Sequence, residues 1–203
     1  MAEPLIRMAN IRKSYGRVQA LVDANFHVNE KEIVGLLGDN GAGKSTLIKV
    51  LSGAVPLTSG DIFVRGKKVN FRSTSDAIAE GIETIYQDSA LVTQLSIARA
   101  MHFDSDLIIL DEPTNNLGVA ETQGVLSFVR SARDSGHSCI FIAHNIHHVF
   151  QVVDRIVVMR RGKVVADDID PKKTTVAEVE RVITGMSDKE IRDAISDGRD
   201  SHG

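Results

Sequence analysis

One cysteine in 203 residues, no tryptophan and 4% aromatic side chains leave little of the chemistry such residues carry. A lone thiol builds no disulfide framework. Cys139 also stands inside the apolar run from Ser138 to Ala143, where it reads as a small buried hydrophobe in a reducing compartment. No apolar stretch approaches the roughly 20 residues that cross a bilayer as a helix. Positive charge is not in excess: 24 Lys and Arg stand against 27 Asp and Glu, a formal net charge of -3, so the chain has no basic footprint for nucleic acid. Met1-Ala2-Glu3-Pro4 has neither the basic nor the apolar region of a secretion signal. What remains is the composition of a soluble domain long enough to bury one full core, expected in the cytoplasm.

Against this plain background one stretch stands out: Gly38-Asp39-Asn40-Gly41-Ala42-Gly43-Lys44-Ser45-Thr46. It follows the apolar run Ile33 to Leu37 and leads into Leu47-Ile48-Lys49-Val50-Leu51, so a strand ends and a helix begins around it. That setting is the one a phosphate-binding loop requires. Glycines let successive backbone N–H groups turn inward on an anion, and the helix amino end adds partial positive charge. Lys44 would reach the β- and γ-phosphates of a nucleotide, and the Ser45 hydroxyl would ligate Mg²⁺.

A second run, Leu107-Ile108-Ile109-Leu110, reads as a buried strand delivering Asp111 and Glu112 at its carboxyl end. Asp111 would hold the Mg²⁺ shell, and Glu112 would polarise an attacking water as general base. Gln87 and His144 each stand directly after another strand-like run, in reach of Mg²⁺, water or the γ-phosphate. Tyr15, before Gly16 in the first turn, offers a π-face to adenine. His144, His147 and His148 have a spacing that would gather a metal, yet no cysteine or carboxylate is positioned to complete the set.

Alternating patterns predict strands over Leu5 to Lys13 and Leu21 to Val28, with Val22, Ala24, Phe26 and Val28 on one face, as an antiparallel pair beside the strand that feeds the loop. Further strands are expected at Ile62 to Val64, Val69 to Phe71, Ile82 to Tyr86 and Ser138 to Ala143. Ile156 to Met159 and Lys163 to Ala166 read as a hairpin across Arg161-Gly162, with a solvated basic tip. Helices are expected at Ser73 to Glu80, Val119 to Ser135, from Ile146, and at Val176 to Ile183. The fold class is α/β: a mostly parallel core sheet flanked by helices, plus an antiparallel β layer from the amino-terminal third.

Tyr15, Gly38 to Thr46, Gln87, Leu107 to Glu112 and His144 stand in an order that resembles the ATPase subunits of ABC transporters, a branch of the P-loop NTPases. Asp39 to Lys49, Leu51-Ser52-Gly53 and Gly81 to Gln87 are similar in wording to bacterial monosaccharide importers of the ribose, xylose and fructose type, most of all the single-cassette fructose type. The resemblance implies one ATP-binding domain over residues 1–186 and a polar tail over 187–203. ATP and Mg²⁺ would be the cofactors, with Ser45, Gln87 and Asp111 at the metal and Glu112, Gln87 and His144 at the chemistry. Implied partners are transmembrane permease subunits, a second ATPase subunit and, indirectly, a periplasmic sugar-binding protein, on the inner face of the cell membrane. Asn115 to Gly118 would occupy the loop that crosses the dimer interface. Selection of the sugar would belong to the permease and binding protein. A relative acting on DNA or ribosomes is disfavoured by the lack of basic charge.

One part of the pattern is missing. The family places a helical subdomain bearing an LSGGQ signature between the coupling glutamine and the Mg²⁺ aspartate, and this signature clamps the γ-phosphate on the opposite subunit. Here Gln94-Leu95-Ser96 resembles its start and Ile97-Ala98-Arg99-Ala100 the helix after it, so a join falls near residues 96–99. Either the stretch belongs to the protein and is missing from this sequence, or the polypeptide lacks it. In the second case the chain would be an ATP-binding remnant with impaired turnover.

Overall fold

The computed structural model describes residues 3–85 and 105–185. Within them the chain forms two sheets. One is antiparallel, with strand order β2-β1-β4-β5, from β1 (Ile6–Tyr15), β2 (Val18–Val28), β4 (Ser59–Val64) and β5 (Lys67–Val69). The other has order β10-β9-β3-β8-β7-β6, from β3 (Ile33–Leu37), β6 (Ile82–Ile85), β7 (Leu107–Asp111), β8 (Ser138–Ile142), β9 (Arg155–Arg160) and β10 (Lys163–Ile169). All of its pairings are parallel except β9 with β10.

The apolar runs are continuous because both faces of this second sheet are covered. Val34 and Leu36, Leu107 and Ile109, Ile140 and Ile142, and Val157 and Met159 join the core shared with the antiparallel sheet and helix α1 (Lys44–Leu51). Their neighbours Ile33 and Leu37, Ile108 and Leu110, Cys139 and Phe141, and Ile156 and Val158 pack with the opposite core. That core is built on α3 (Val119–Asp134), α4 (Ile146–Val152) and α5 (Val176–Thr184). The remaining helix, α2 (Thr74–Ala79), starts on Ser73, whose hydroxyl accepts from the Asp76 N–H while Asp76 accepts from the Ser73 N–H.

Three expectations are corrected. The β1–β2 pair does not lie beside β3; it belongs to the separate sheet and covers one face of the core. Val22 does not share the buried face of Ala24, Phe26 and Val28. A register shift brings Ile11 opposite Ala24 but Lys13 opposite Leu21, and Asp23 takes φ 50° at the bulge, so Leu21 is buried instead. The β9–β10 tip is not wholly solvated either. Gly162 is buried, donates its N–H to Ala42 O at 2.8 Å and accepts from Val22 N–H at 2.8 Å. This ties the hairpin to the phosphate loop and to β2. The expected strand end at Tyr86, the join near 96–99 and the tail 187–203 lie outside the described residues.

Candidate functional site

Four neighbouring parallel strands, β3, β8, β7 and β6, end on one edge of the sheet. In open α/β sheets the crevice beyond the carboxyl ends is where ligands bind. β3 leads into Gly38 to Gly43, β7 ends on Asp111 with Glu112 following, and β8 runs through Ala143 to His144. Gln87, two residues after the end of β6 in sequence, lies outside the described residues.

Around the phosphate loop, α1 begins at Lys44 with no side-chain cap on its first turn. Its amino-terminal N–H groups therefore remain available for an anion. The N-cap, Gly43, has φ 106°, and a Cβ there would stand 2.9 Å from Ala20 O. Both the backbone angle and the close approach of β2 demand glycine at that position. Lys44 is 8% exposed, and its Nζ donates to Gly38 O at 2.5 Å and Asp39 O at 3.1 Å. The lysine thus sits within its own loop, held by backbone carbonyls. Burial lowers its pKa, opposed by the charges of Glu112, Asp39 and Asp111.

Glu112 occupies the left-handed region at φ 55°, a conformation that costs a non-glycine residue on the order of 1–3 kcal/mol. Its N–H is fixed on Ile142 O at 2.9 Å. His144 Nε2 lies 2.6 Å from Glu112 Oε1, and Asn115 Nδ2 donates to Oε2. The carboxylate is therefore held from both sides. Burial, and then the adjacent Glu112 charge, raise the Asp111 pKa against the pull of Lys44.

A cleft of about 350 Å³ brings together Tyr15, Asn40 to Thr46, Glu112 and His144. Gly38 and Asp39 line a neighbouring cleft of about 430 Å³, which shares Asn40 and His144. Three residues of the first cleft escaped sequence reasoning: Val18, Gln19 and Ala20. The available signal was the two-residue turn after Tyr15, which pairs Tyr15 with Val18 and leaves Val18 67% exposed. Asn115 was placed in an interface loop, and its hold on Glu112 was not foreseen.

A family model described as ABC transporter matches residues 21–97. The chain is 34% identical to the xylose/arabinose import ATP-binding protein of Sulfolobus acidocaldarius, over 90% of this chain and 95% of that one. The chain belongs to the ATP-binding subunits of ABC transporters. The cassette is also 33% identical to the fructose import ATP-binding protein of Rhizobium meliloti, over 92% of this chain and 96% of that one. A ribose import ATP-binding protein of Escherichia coli O157:H7 is 30% identical and matched over 92% of this chain but only 49% of its own length. The Sulfolobus alignment spans 239 positions against the 203 residues of the cassette, so that relative contains residues with no counterpart here. Among solved structures, the ADP conformation of an ATP-binding cassette of an ABC transporter has the same fold at a TM-score of 0.77 and 18% identity, covering 96% of this chain and 99% of that one. A nucleotide-free cassette agrees at 0.77 and 17% identity, over 93% of this chain and 98% of that one. Among the described residues no helix is long and apolar enough to cross a membrane.

Proposed function

We propose that the cassette binds and hydrolyses ATP to energise an importer for a monosaccharide of the pentose or fructose type. The names of the two relatives matched over nearly their full length support that substrate class. The convergence of Lys44, Ser45, Glu112 and His144 on one cleft carries the reading. Tyr15 stacks on the base, and Lys44 exchanges its loop carbonyls for phosphate oxygens. The Ser45 hydroxyl and the Asp111 carboxylate, joined by Gln87, would supply an all-oxygen donor set suited to Mg²⁺. The raised pKa of Asp111 fits them, since a nearby dication offsets both its burial and the Glu112 charge. Held by these residues, Mg²⁺ would supply positive charge against the β- and γ-phosphates.

Glu112 accepts the proton of the attacking water as its oxygen bonds to the γ-phosphorus and the bond to ADP breaks. One Glu112 oxygen contacts His144 and the other contacts Asn115, which leaves each a further lone pair to accept from the attacking water. A second subunit closes over the nucleotide, and permease subunits take up the motion. The permease in turn is served by a periplasmic binding protein. The cassette works from the cytoplasm, on the inner face of the membrane.

A second reading has one observation in its favour. β6 and β7 are parallel neighbours, and the connection between them must be made within residues 86–106. That suffices for a crossover, which needs a dozen or more residues, but not for a helical subdomain several tens of residues long as well. Loss of a donor delivered by a partner subunit costs about 10³–10⁵ in rate. On this reading the cassette binds ATP and turns it over hardly at all. One experiment separates the alternatives: steady-state phosphate release from the wild type and from Glu112→Gln, with ATP binding measured on both. The ATPase reading expects release in the wild type, none in the variant, and binding in each. Equal, negligible release with binding retained selects the remnant, and unchanged release in the variant refutes the role of Glu112.

A further inference from the structure

We propose that Lys13 is a positioning residue for base recognition, fixing the Tyr15 ring from behind with its ammonium group. The inference rests on the nucleotide reading of the cleft and adds a residue that does not line it. Lys13 is only 9% exposed, and among the described residues it forms no ion pair. Its Nζ donates to Pro56 O at 2.7 Å and lies 4.9 Å from the centroid of the Tyr15 ring. A buried ammonium served by one carbonyl is costly unless something else favours the charge. The electron-rich ring face does so, within the roughly 6 Å over which cation–π attraction operates.

The position of that ammonium is not arbitrary. Thr58 N–H donates to Arg12 O at 2.8 Å and Ser14 N–H to Thr58 Oγ1 at 3.0 Å, so residues 56–58 are laced to the end of β1. The same segment leaves α1 through the bond from Val55 N–H to Lys49 O at 3.0 Å. Lys13 therefore links the exit of the phosphate-loop helix to the ring expected to receive the base. Tyr15 lines the cleft and is 47% exposed as a whole residue, while Lys13 does not line it and is buried against the Tyr15 ring. A ring free to turn would lose entropy on stacking. This one is already oriented, and the cation draws charge from its face, which favours an electron-rich purine.

The test is a double-mutant cycle read by calorimetric titration with Mg-ATP and with inorganic tripolyphosphate, which has no base. Lys13→Gln keeps a donor for Pro56 O and removes the charge; Lys13→Arg keeps the charge. We expect Lys13→Gln to weaken ATP binding about 3- to 10-fold while leaving tripolyphosphate unchanged. Lys13→Arg should restore most of the affinity, and Lys13→Gln should cost nothing further in a Tyr15→Leu background. Equal losses for ATP and tripolyphosphate, no loss at all, or a loss that persists without Tyr15 would overturn the proposal. Should Lys13→Gln melt before titration, Lys13→Arg with the same two probes decides, since a cation that keeps the ring in place must keep the preference for ATP. The base platform itself fails in a different way: the wild type would then bind ATP no better than tripolyphosphate, and Tyr15→Leu would be silent.

Discussion

Replacing Gly162 with alanine should damage both the fold and the nucleotide site, although the residue lies on a hairpin tip far along the chain from the phosphate loop. Gly162 has φ +77°, and a Cβ there would stand 2.8 Å from Ala20 O and 3.2 Å from both Ala20 C and Leu21 Cα. These atoms are backbone of β2, so no side chain can swing away. The left-handed backbone costs an alanine about 1–2 kcal/mol, and forcing a methyl into a filled space costs about 1–3 kcal/mol more. The sum, about 2–5 kcal/mol, corresponds to a fall in Tm of roughly 5–20 °C for a chain of this size. Because Gly162 N–H also holds Ala42 O at 2.8 Å, the displaced tip should pull on the loop and weaken ATP binding. Gly16→Ala is the control: φ is +60° there too, but nothing lies within 4 Å of the added Cβ. It should therefore lose only the backbone share, about 1–2 kcal/mol. Thermal melts followed by circular dichroism compare the two, with ATP titration on Gly162→Ala. Equal melting temperatures for the two variants, or full ATP affinity in Gly162→Ala, would refute the keyed contact.

Arg155 offers a second test. It is 6% exposed and meets Glu32 at 2.6 and 3.1 Å, Asp167 Oδ1 at 2.5 Å and His27 O at 2.8 Å, tying β2 to β9 and β10. Arg155→Met strands two partly buried acids and should cost about 3–5 kcal/mol at neutral pH in denaturant titrations. Burial pushes the Glu32 pKa up most, but the hydrogen bonds from Arg155 and the Asn29 N–H, together with the Arg155 and His27 charges, outweigh it and hold the group below the usual carboxylate value. Its contribution is therefore present above that value and lost as pH falls through the lowered one, so the gap between wild type and Arg155→Met should narrow on acidification. A gap that widens in acid would contradict this. Cys139, fully buried with its pKa pushed up to about 12 by desolvation, should react with thiol reagents only after denaturation; prompt labelling of the native protein would contradict its placement.

The elements easiest to foresee were those buried on both faces. Leu107 to Leu110 and Cys139 to Ile142 are apolar at every position because each is covered above and below, and their carboxyl ends lead to Asp111 and His144. Gly41, Gly43, Lys44 and Ser45 were equally visible, since their spacing serves one kind of ligand. Contacts set by tertiary geometry were hidden. The bulge at Asp23 moves Leu21 into the core in place of Val22, and the mild tolerance of aspartate for the left-handed region is too weak a signal to announce it. Nothing in the sequence around Arg155 marks it for burial, because its partners lie 12, 123 and 128 residues away. The hold of His144 on Glu112 likewise arises only where the ends of β7 and β8 meet, whereas Asn115 reaches Glu112 within its own turn and Lys13 reaches Tyr15 along β1.

At the centre stands the claim that the loop from Gly38 to Thr46 grips a nucleotide triphosphate through Lys44. Calorimetric titration of Mg-ATP into the wild type and Lys44→Ala tests it most directly. A charged hydrogen bond is worth about 1.5–3 kcal/mol, so the variant should bind at least about tenfold more weakly. The account predicts one saturable site per chain in the wild type and this loss in the folded variant; no binding by the wild type, or equal affinity in both, would contradict it.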